Sequence, residues 1–323
     1  MDRVFVNLAR FGTLLAFSVV TIGAWVRLTD AGLGCPDWPG CYGQLVAPEA
    51  VGEGTLAGGE GGRVFDSQKA WNEMFHRYIA SGLGLVCVGL AAIAWRRRRM
   101  PDQPVRVPLI LLGLVILQGL LGMWTVTLLL KPIVVVAHLL GGLATLALLF
   151  WLGRWRTRAL WSDLRIRSLG VTALAVLVLQ IALGGWTSAN YAALACPDFP
   201  TCQTQWWPEI ADFGEGFVLW RGLGVDYEGG VLDHPARVAV HFAHRLGAVL
   251  AALTIALFAV RLIRLPDARG EGALIFAALA AQLGLGISIV WLGVPLAVAV
   301  AHNAVAALLL LSLINVHKRI WQR

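Results

Sequence analysis

The chain has 323 residues, 58% of them hydrophobic and only 14% charged, with a mean hydropathy of +0.71. Soluble domains carry about 25% charged residues, so this composition excludes a water-soluble fold. The formal net charge of +7 would suit nucleic acid, but its placement along the chain excludes that partner.

Eight apolar runs approach or exceed the roughly 20 residues that an α-helix needs to cross about 30 Å of hydrocarbon. They cover about 10–28, 72–95, 107–128, 133–153, 168–188, 238–262, 272–292 and 295–315. The first, "FGTLLAFSVVTIGAWV", follows Arg3 and Arg10 as a signal peptide would. It is long for such a segment and lacks a small-residue cleavage site, so it reads as a retained helix. Both termini and the loops after the second, fourth and sixth runs fall on one side. That side holds most of the Lys and Arg, including Arg96 to Arg99, Arg154, Arg156, Arg158, Arg165 and Arg167. Short loops rich in Lys and Arg mark the cytoplasmic face. The expected fold class is therefore an all-α polytopic membrane protein in the lipid bilayer, with both termini cytoplasmic. Segments 30–71 and 189–237 are expected outside, and the basic charge reports topology.

The chain also repeats itself. "GAWVRLTDAGLGCPDWPGC" (23–41) aligns without gaps to "GGWTSANYAALACPDFPTC" (184–202). "EMFHRYIASGLGLV" matches "HFAHRLGAVLAAL" through His-Arg, and "LKPIVVVAHLLGG" matches "LGVPLAVAVAHNA" through Pro and Ala-His. The expected arrangement is two parallel-repeat four-helix bundles, 1–155 and 156–323, joined by an Arg-rich cytoplasmic loop; an even number of spans per unit keeps the copies parallel. Residues 52–62, "GEGTLAGGEGG", read as a flexible insert. The cysteine loops could be staples, a metal site or a redox device. Cys87, alone within an apolar run, reads as packing.

Four of the seven histidines occupy repeat-matched places within spans: His76 and His138, then His244 and His302. Each lies near the outer end of its helix, so each unit offers two imidazoles at one depth. Ionisable residues inside a membrane are functional candidates. Zinc usually takes three or four protein ligands, whereas two imidazoles between apolar helices suit haem, whose ring supplies the other donors. No C-x-x-C-H attachment motif occurs. Small residues in "ASGLGLV", "LLGGLA" and "LQGLLG" would make room for a flat ring or serve close packing, within one chain or in a homo-oligomer. Arg77 and Arg245 follow histidines on the side where Arg is scarce and are candidates for haem propionates. His234 and His317 read as solvated. His241 stands three before His244, where the first unit has Glu73 before His76, and this difference suggests divided labour.

"VRLTDAGLGCPDWPGCYG", "NEMFHR", "AHLLGG", "CPDFPTC", "HFAHRLG" and "AHNAVAALLL", in this order over eight spans, resemble the bacterial haem A synthase family of the cysteine-bearing type. The resemblance implies oxidation of a methyl group of haem O to the formyl group of haem A for terminal oxidases, in the bacterial inner membrane. It implies haem b between His244 and His302 in the C-terminal unit, and haem O at His76 and His138 in the N-terminal unit. It gives Glu73 a catalytic role. Haem O synthase and an electron-transfer protein are the implied partners. A di-haem electron-transfer cytochrome b, a membrane thiol–disulfide oxidoreductase and a haem exporter are the competing readings.

Each cysteine loop lies outside and is restricted by two prolines, which leads to expected disulfides Cys35–Cys41 and Cys196–Cys202. The second reads as a staple. The first, over the expected substrate site, suits a staple or a redox role equally, which adds Cys35 and Cys41 to the catalytic candidates.

Overall fold

The structure is a computed structural model that describes residues 3–49, 64–154, 158–160 and 163–321. The glycine-rich stretch 52–62 lies outside the described residues. The elements in chain order are α1 (Arg3–Leu28), α2 (Ser67–Arg96), α3 (Arg106–Thr127), α4 (Pro132–Gly153), α5 (Leu164–Ala189), the single turn α6 (Phe213–Gly216), α7 (His234–Ile263), α8 (Arg269–Trp291) and α9 (Leu296–Trp321). The protein is all-helical, and eight of these helices are long and apolar enough to cross a membrane. Hydrocarbon offers backbone groups no partner, so a spanning segment that bonds within itself must be helical.

Helix starts are set by caps. Asp66 accepts a hydrogen bond from the backbone N–H of Lys69 at 3.0 Å, Asp163 from that of Ile166 at 2.8 Å, and Asp233 from that of Ala236 at 3.0 Å. An aspartate before the first turn satisfies an orphan N–H there. These helices therefore begin at Ser67, Leu164 and His234, four or so residues before the apolar runs. Hydropathy marks where the chain turns apolar, and the cap marks where the helix begins.

The chain divides into two compact units, 1–146 with 219–231, and 147–218 with 232–323. In the first, α1 packs on α2 and α2 on α3. In the second, α5 packs on α7 and α9, α7 on α8, and α8 on α9, closing a four-helix ring.

Residues 219–231 join the first unit through Lys131, at the start of α4 and only 2% exposed. Its Nζ donates to the carbonyls of Arg221 at 2.8 Å and Gly222 at 2.9 Å, and lies 3.5 Å from the centre of the Trp220 ring. A buried ammonium is costly without such partners. Alongside it, the backbone N–H of Tyr227 donates to the Leu129 carbonyl at 3.1 Å, and Tyr227 packs with Leu33, Val126 and Leu130.

One expectation is corrected. His317 is buried, 7% exposed, because α9 runs past the expected end of its apolar run to Trp321. Its Nδ1 lies 2.9 Å from the Leu313 carbonyl. Lys318 and Arg319, also buried, bond the carbonyl of Trp151, and Glu271 with the carbonyls of Arg158 and Asp267, respectively. This last turn is a buried polar plug in which Lys318 and Arg319 are paired and His317 Nε2 has no hydrogen-bond partner, where composition alone suggests a solvated tail. His234, by contrast, is exposed as expected, and Cys87 is a buried free thiol in α2.

Replacing Lys131 with Met should release the Trp220–Gly224 stretch while leaving the helices intact. Hydrogen exchange should speed up at Tyr227 and its neighbours by about tenfold or more, consistent with about 1.5–3 kcal/mol for hydrogen bonds to a charged group.

Candidate functional site

Each cysteine segment folds into the same small loop. Cys35 pairs with Cys41 and Cys196 with Cys202, with Cα–Cα separations of 4.8 and 4.7 Å. The Trp38–Pro39 and Phe199–Pro200 peptides are both cis. The second cysteine of each loop exchanges backbone hydrogen bonds with the residue three further on, Cys41 with Gln44 and Cys202 with Gln205. The reversal between them needs left-handed backbone at Tyr42 and Gly43, and at Gln203 and Thr204. An aspartate holds it each time. Asp37 accepts from the N–H groups of Tyr42 at 2.6 Å and Gly43 at 2.8 Å, and Asp198 from those of Gln203 at 2.8 Å and Thr204 at 3.0 Å. This explains the Asp in both C-P-D motifs. Burial raises the Asp198 carboxyl, but hydrogen bonds from Thr201, Thr204 and Gln203 outweigh that and hold it below the usual carboxylate range. The Tyr42 hydroxyl is pushed up, by burial first and then by the Asp37 and Glu73 carboxylates.

Two arginines fasten these loops to the helices below. Arg77, on α2, donates through Nη1 to the carbonyls of Asp37 at 3.0 Å, Pro39 at 3.3 Å and Gly40. Arg245, on α7, donates through Nη1 to the carbonyls of Asp198 at 2.7 Å and Thr201 at 2.6 Å, and through Nη2 to that of Cys196 at 2.7 Å. The planar fork of donors suits such a set of carbonyls. Both guanidinium groups, candidates for propionates from sequence, are thus engaged with the cysteine loops.

Glu73 and His241 complete the fastening and differ in how well they do it. Glu73 accepts from the Cys35 N–H at 2.8 Å and pairs with Arg77. His241 Nδ1 lies 3.1 Å from the Cys196 nitrogen, and its Nε2 3.3 Å from Arg245 Nε. A carboxylate has lone pairs for both donors, whereas a neutral imidazole has one acceptor nitrogen. Among the described residues Glu73 is the one acidic side chain that is buried, at 5% exposure. Gly34 brings the first loop directly onto α2: a Cβ there would lie 2.6 Å from the Lys69 carbonyl oxygen.

One turn below these fastenings lie His76 and His244, with His138 on α4 and His302 on α9. His76 and His138 lie in the first unit, and His244 and His302 in the second. All four imidazoles rest against a glycine. A Cβ at Gly23 would lie 3.0 Å from His76 Cε1, at Gly184 3.1 Å from His244 Cε1, at Gly286 3.1 Å from His302 Cε1, and at Gly122 3.5 Å from His138 Cε1. The Nδ1 atoms of His76, His138 and His302 are buried without a hydrogen-bond partner. Three glutamines stand nearby. Gln180 Nε2 is 3.1 Å from His244 Nδ1, Gln282 Nε2 is 3.1 Å from His302 Nε2, and Gln118 lies against Gly141, one turn from His138.

The profile of the cytochrome oxidase assembly protein family (COX15-CtaA) matches residues 7–314. The chain belongs to this family. It is similar to the haem A synthase of Shewanella oneidensis, 43% identical over 98% of this chain and 96% of that one. It is also similar to the haem A synthases of Novosphingobium aromaticivorans, 31% identical over 94% and 91% of the two chains, and of Caulobacter sp. strain K31, 31% identical over 92% and 90%.

In this cytochrome oxidase assembly family member, sequence reasoning finds the histidines, Glu73 and the cysteines, and misses the glutamines and the facing glycines. The signal for both lay in the repeat. Gly23 and Gly184 align, as do Gly122 and Gly286, each four residues after Gln118 or Gln282 in the latter case. The glycine-rich runs divide in use: Gly122, in "LQGLLG", faces an imidazole, Gly141, in "LLGGLA", faces Gln118, and Gly82 and Gly84, in "ASGLGLV", face open space.

The Asp198 arrangement predicts a pH effect on the second cysteine loop. A carboxyl whose folded pKa is depressed stabilises fully above its unfolded value, near 4, and loses that stabilisation as pH falls through the lower folded value. Protection factors of the Gln203 and Thr204 amides, corrected for intrinsic exchange, should fall below pH 4. In Asp198→Asn they should be low and flat with pH.

Proposed function

We propose that this protein is a haem A synthase that oxidises a methyl group of haem O to the formyl group of haem A. The observation that carries the reading is the set of four half-buried imidazoles, two in each unit, each against a glycine and three with a buried, unpartnered Nδ1. Paired imidazoles between apolar helices fit haem iron, which binds one nitrogen of each ring and leaves the other for a hydrogen bond. Among the described residues no group of three or more His, Cys, Asp or Glu side chains could hold a bare metal ion. Haem needs only two protein ligands, because its ring supplies four. His244 and His302 would hold haem b as the resident cofactor, and His76 and His138 would hold haem O as substrate. The relatives' name, haem A synthase, supports the same assignment.

Bound haem b supplies one-electron transfer. The net reaction balances with water as the oxygen source: a methyl group and one water give a formyl group, four protons and four electrons, the electrons leaving to an external one-electron acceptor. Glu73 is the residue placed to handle charge in this change. It sits one turn before His76, buried, with one oxygen on the Cys35 N–H and the other on Arg77. It can take a proton lost from the methyl group or stabilise positive charge developing there. The glycines set the distance at which the imidazoles stand. The proposed orientation puts both termini in the cytoplasm and the disulfide loops outside, where disulfides persist.

Haem extraction tests the reading. Purified protein should yield haem b together with haem O or haem A, identified by mass. Haem b alone would indicate an electron-transfer cytochrome, and protein without haem would sink the proposal.

A second measurement concerns Glu73. Glu73→Gln should keep haem b and lower haem A formation by about 10²-fold or more, in the range for a positioned acid–base group. Undiminished haem A formation would remove Glu73 from the chemistry and leave it as the fastening of the first loop.

A further inference from the structure

The two units differ beside their histidines at a place the proposed function does not use. Gly23 and Gly184 face His76 and His244 equivalently. One helical turn before them on the same faces stand Val19 in the first unit and Gln180 in the second. Gln180 Nε2 lies 3.1 Å from His244 Nδ1 and donates to the His244 carbonyl at 3.0 Å, so one amide engages both the ring and the backbone of a single histidine. The amide fits because residue 247 is glycine. A Cβ there would overlap Gln180 Oε1 and come within 2.9 Å of Leu183 Cδ1. The matched residue in the first unit is Ile79. The second unit thus has a glutamine with a glycine where the first has a valine with an isoleucine, and the exchange is concerted: a side chain at 247 displaces the amide. As a result His76 Nδ1 is buried without a partner while His244 Nδ1 has one; His138 Nδ1 and His302 Nδ1 are unpartnered alike. Gln118 and Gln282 occupy matched positions, although Gln282 Nε2 lies 3.1 Å from His302 Nε2 while Gln118 Nε2 has no partner; the difference in residue type lies at 180 and 247.

We propose that Gln180 is a positioning residue that fixes the His244 ring and retains the second unit's haem, and that Val19 at the matched place leaves the first unit's haem free to exchange. The inference rests on the haem assignment above and adds to it which site is resident and why. An imidazole that coordinates through Nε2 carries its proton on Nδ1, and a hydrogen-bond acceptor there fixes its tautomer and orientation and raises its basicity. Gln180 Oε1 is buried without a partner; exchanging the two ends of the amide would give that oxygen the His244 Nδ1–H, in place of the Nε2 bond to the His244 carbonyl. A resident cofactor needs such a tether. A substrate haem that must leave after each turnover is better served by imidazoles without one.

Full-length protein in detergent tests this with four chains: wild type, Gln180→Leu, Gly247→Ala, and the double variant Val19→Gln, Ile79→Gly. Haem content is read by extraction, haem release by transfer to excess apomyoglobin, and the ligand field by electron paramagnetic resonance and redox titration of haem b. In Gln180→Leu, haem b should be released about tenfold faster or more, the scale for losing a hydrogen bond to a metal-bound histidine. Its midpoint potential should rise, because a less basic imidazole favours ferric iron less. Gly247→Ala keeps the glutamine and should reproduce both changes, which separates loss of the tether from misfolding of one variant. The double variant should slow release of haem O or haem A from the first unit. Unchanged haem b release and potential in both Gln180→Leu and Gly247→Ala would overturn the inference while wild-type protein still carried two haems. Wild-type protein without haem would instead overturn the proposed function, and this inference with it.

Discussion

A nitrogen buried between apolar helices has no water to bond. That constraint organises this protein. Four imidazoles sit on α2, α4, α7 and α9, each against a glycine of a neighbouring helix, and three keep an Nδ1 with no protein partner. Hydrocarbon makes an unsatisfied polar group costly. Glycine at the facing position lets the helices close on the imidazole edge. Cβ atoms at Gly23, Gly184 and Gly286 would lie about 3 Å from the rings, closer than ordinary van der Waals contact.

The cysteine loops are tied to the histidine-bearing helices by short polar links. Arg77 and Arg245, each the residue after a histidine, bind three loop carbonyls apiece. Glu73 and His241, three residues before the histidines, receive the N–H of the first cysteine. One turn of helix thus carries the loop fastening, the imidazole and the arginine together, and the disulfide keeps the loop small enough to be held by one guanidinium. The first unit uses a carboxylate, the second an imidazole. This is one place where the two matched loops differ chemically while keeping the same backbone hydrogen bonds. It also means that Glu73 has a structural duty beside any role in proton transfer, since His241 performs that duty in the other unit.

Legibility from sequence followed the strength of the physical signal. The eight spans were readable because the bilayer sets a length and a polarity that few other folds share. The histidines, Glu73 and the cysteine loops were readable because polar residues in apolar runs stand out and because they recur in register. The arginines were readable as candidates but their partners were not: propionates and loop carbonyls are both planar acceptors, and only the fold shows that the loops come within reach. The burial of His317 was misread because a helix end with Lys318 and Arg319 looks solvated in one dimension. The opposing Glu271 and the carbonyls of Trp151, Arg158 and Asp267 come from distant parts of the chain.

By itself the sequence determined the class of fold, the membrane setting, the internal repeat and the list of polar residues that a membrane protein would have to account for. Hydropathy, register and composition are local properties, and a linear chain displays them. The tertiary structure alone decided what each of those residues touches: that glycines face imidazoles, that arginines clasp the cysteine loops, and that Gln180 bonds His244 where Val19 stands in the other unit. Those facts depend on helices separated by tens of residues meeting at about 3 Å, and side-chain contact across helices is set by packing, which no single segment encodes.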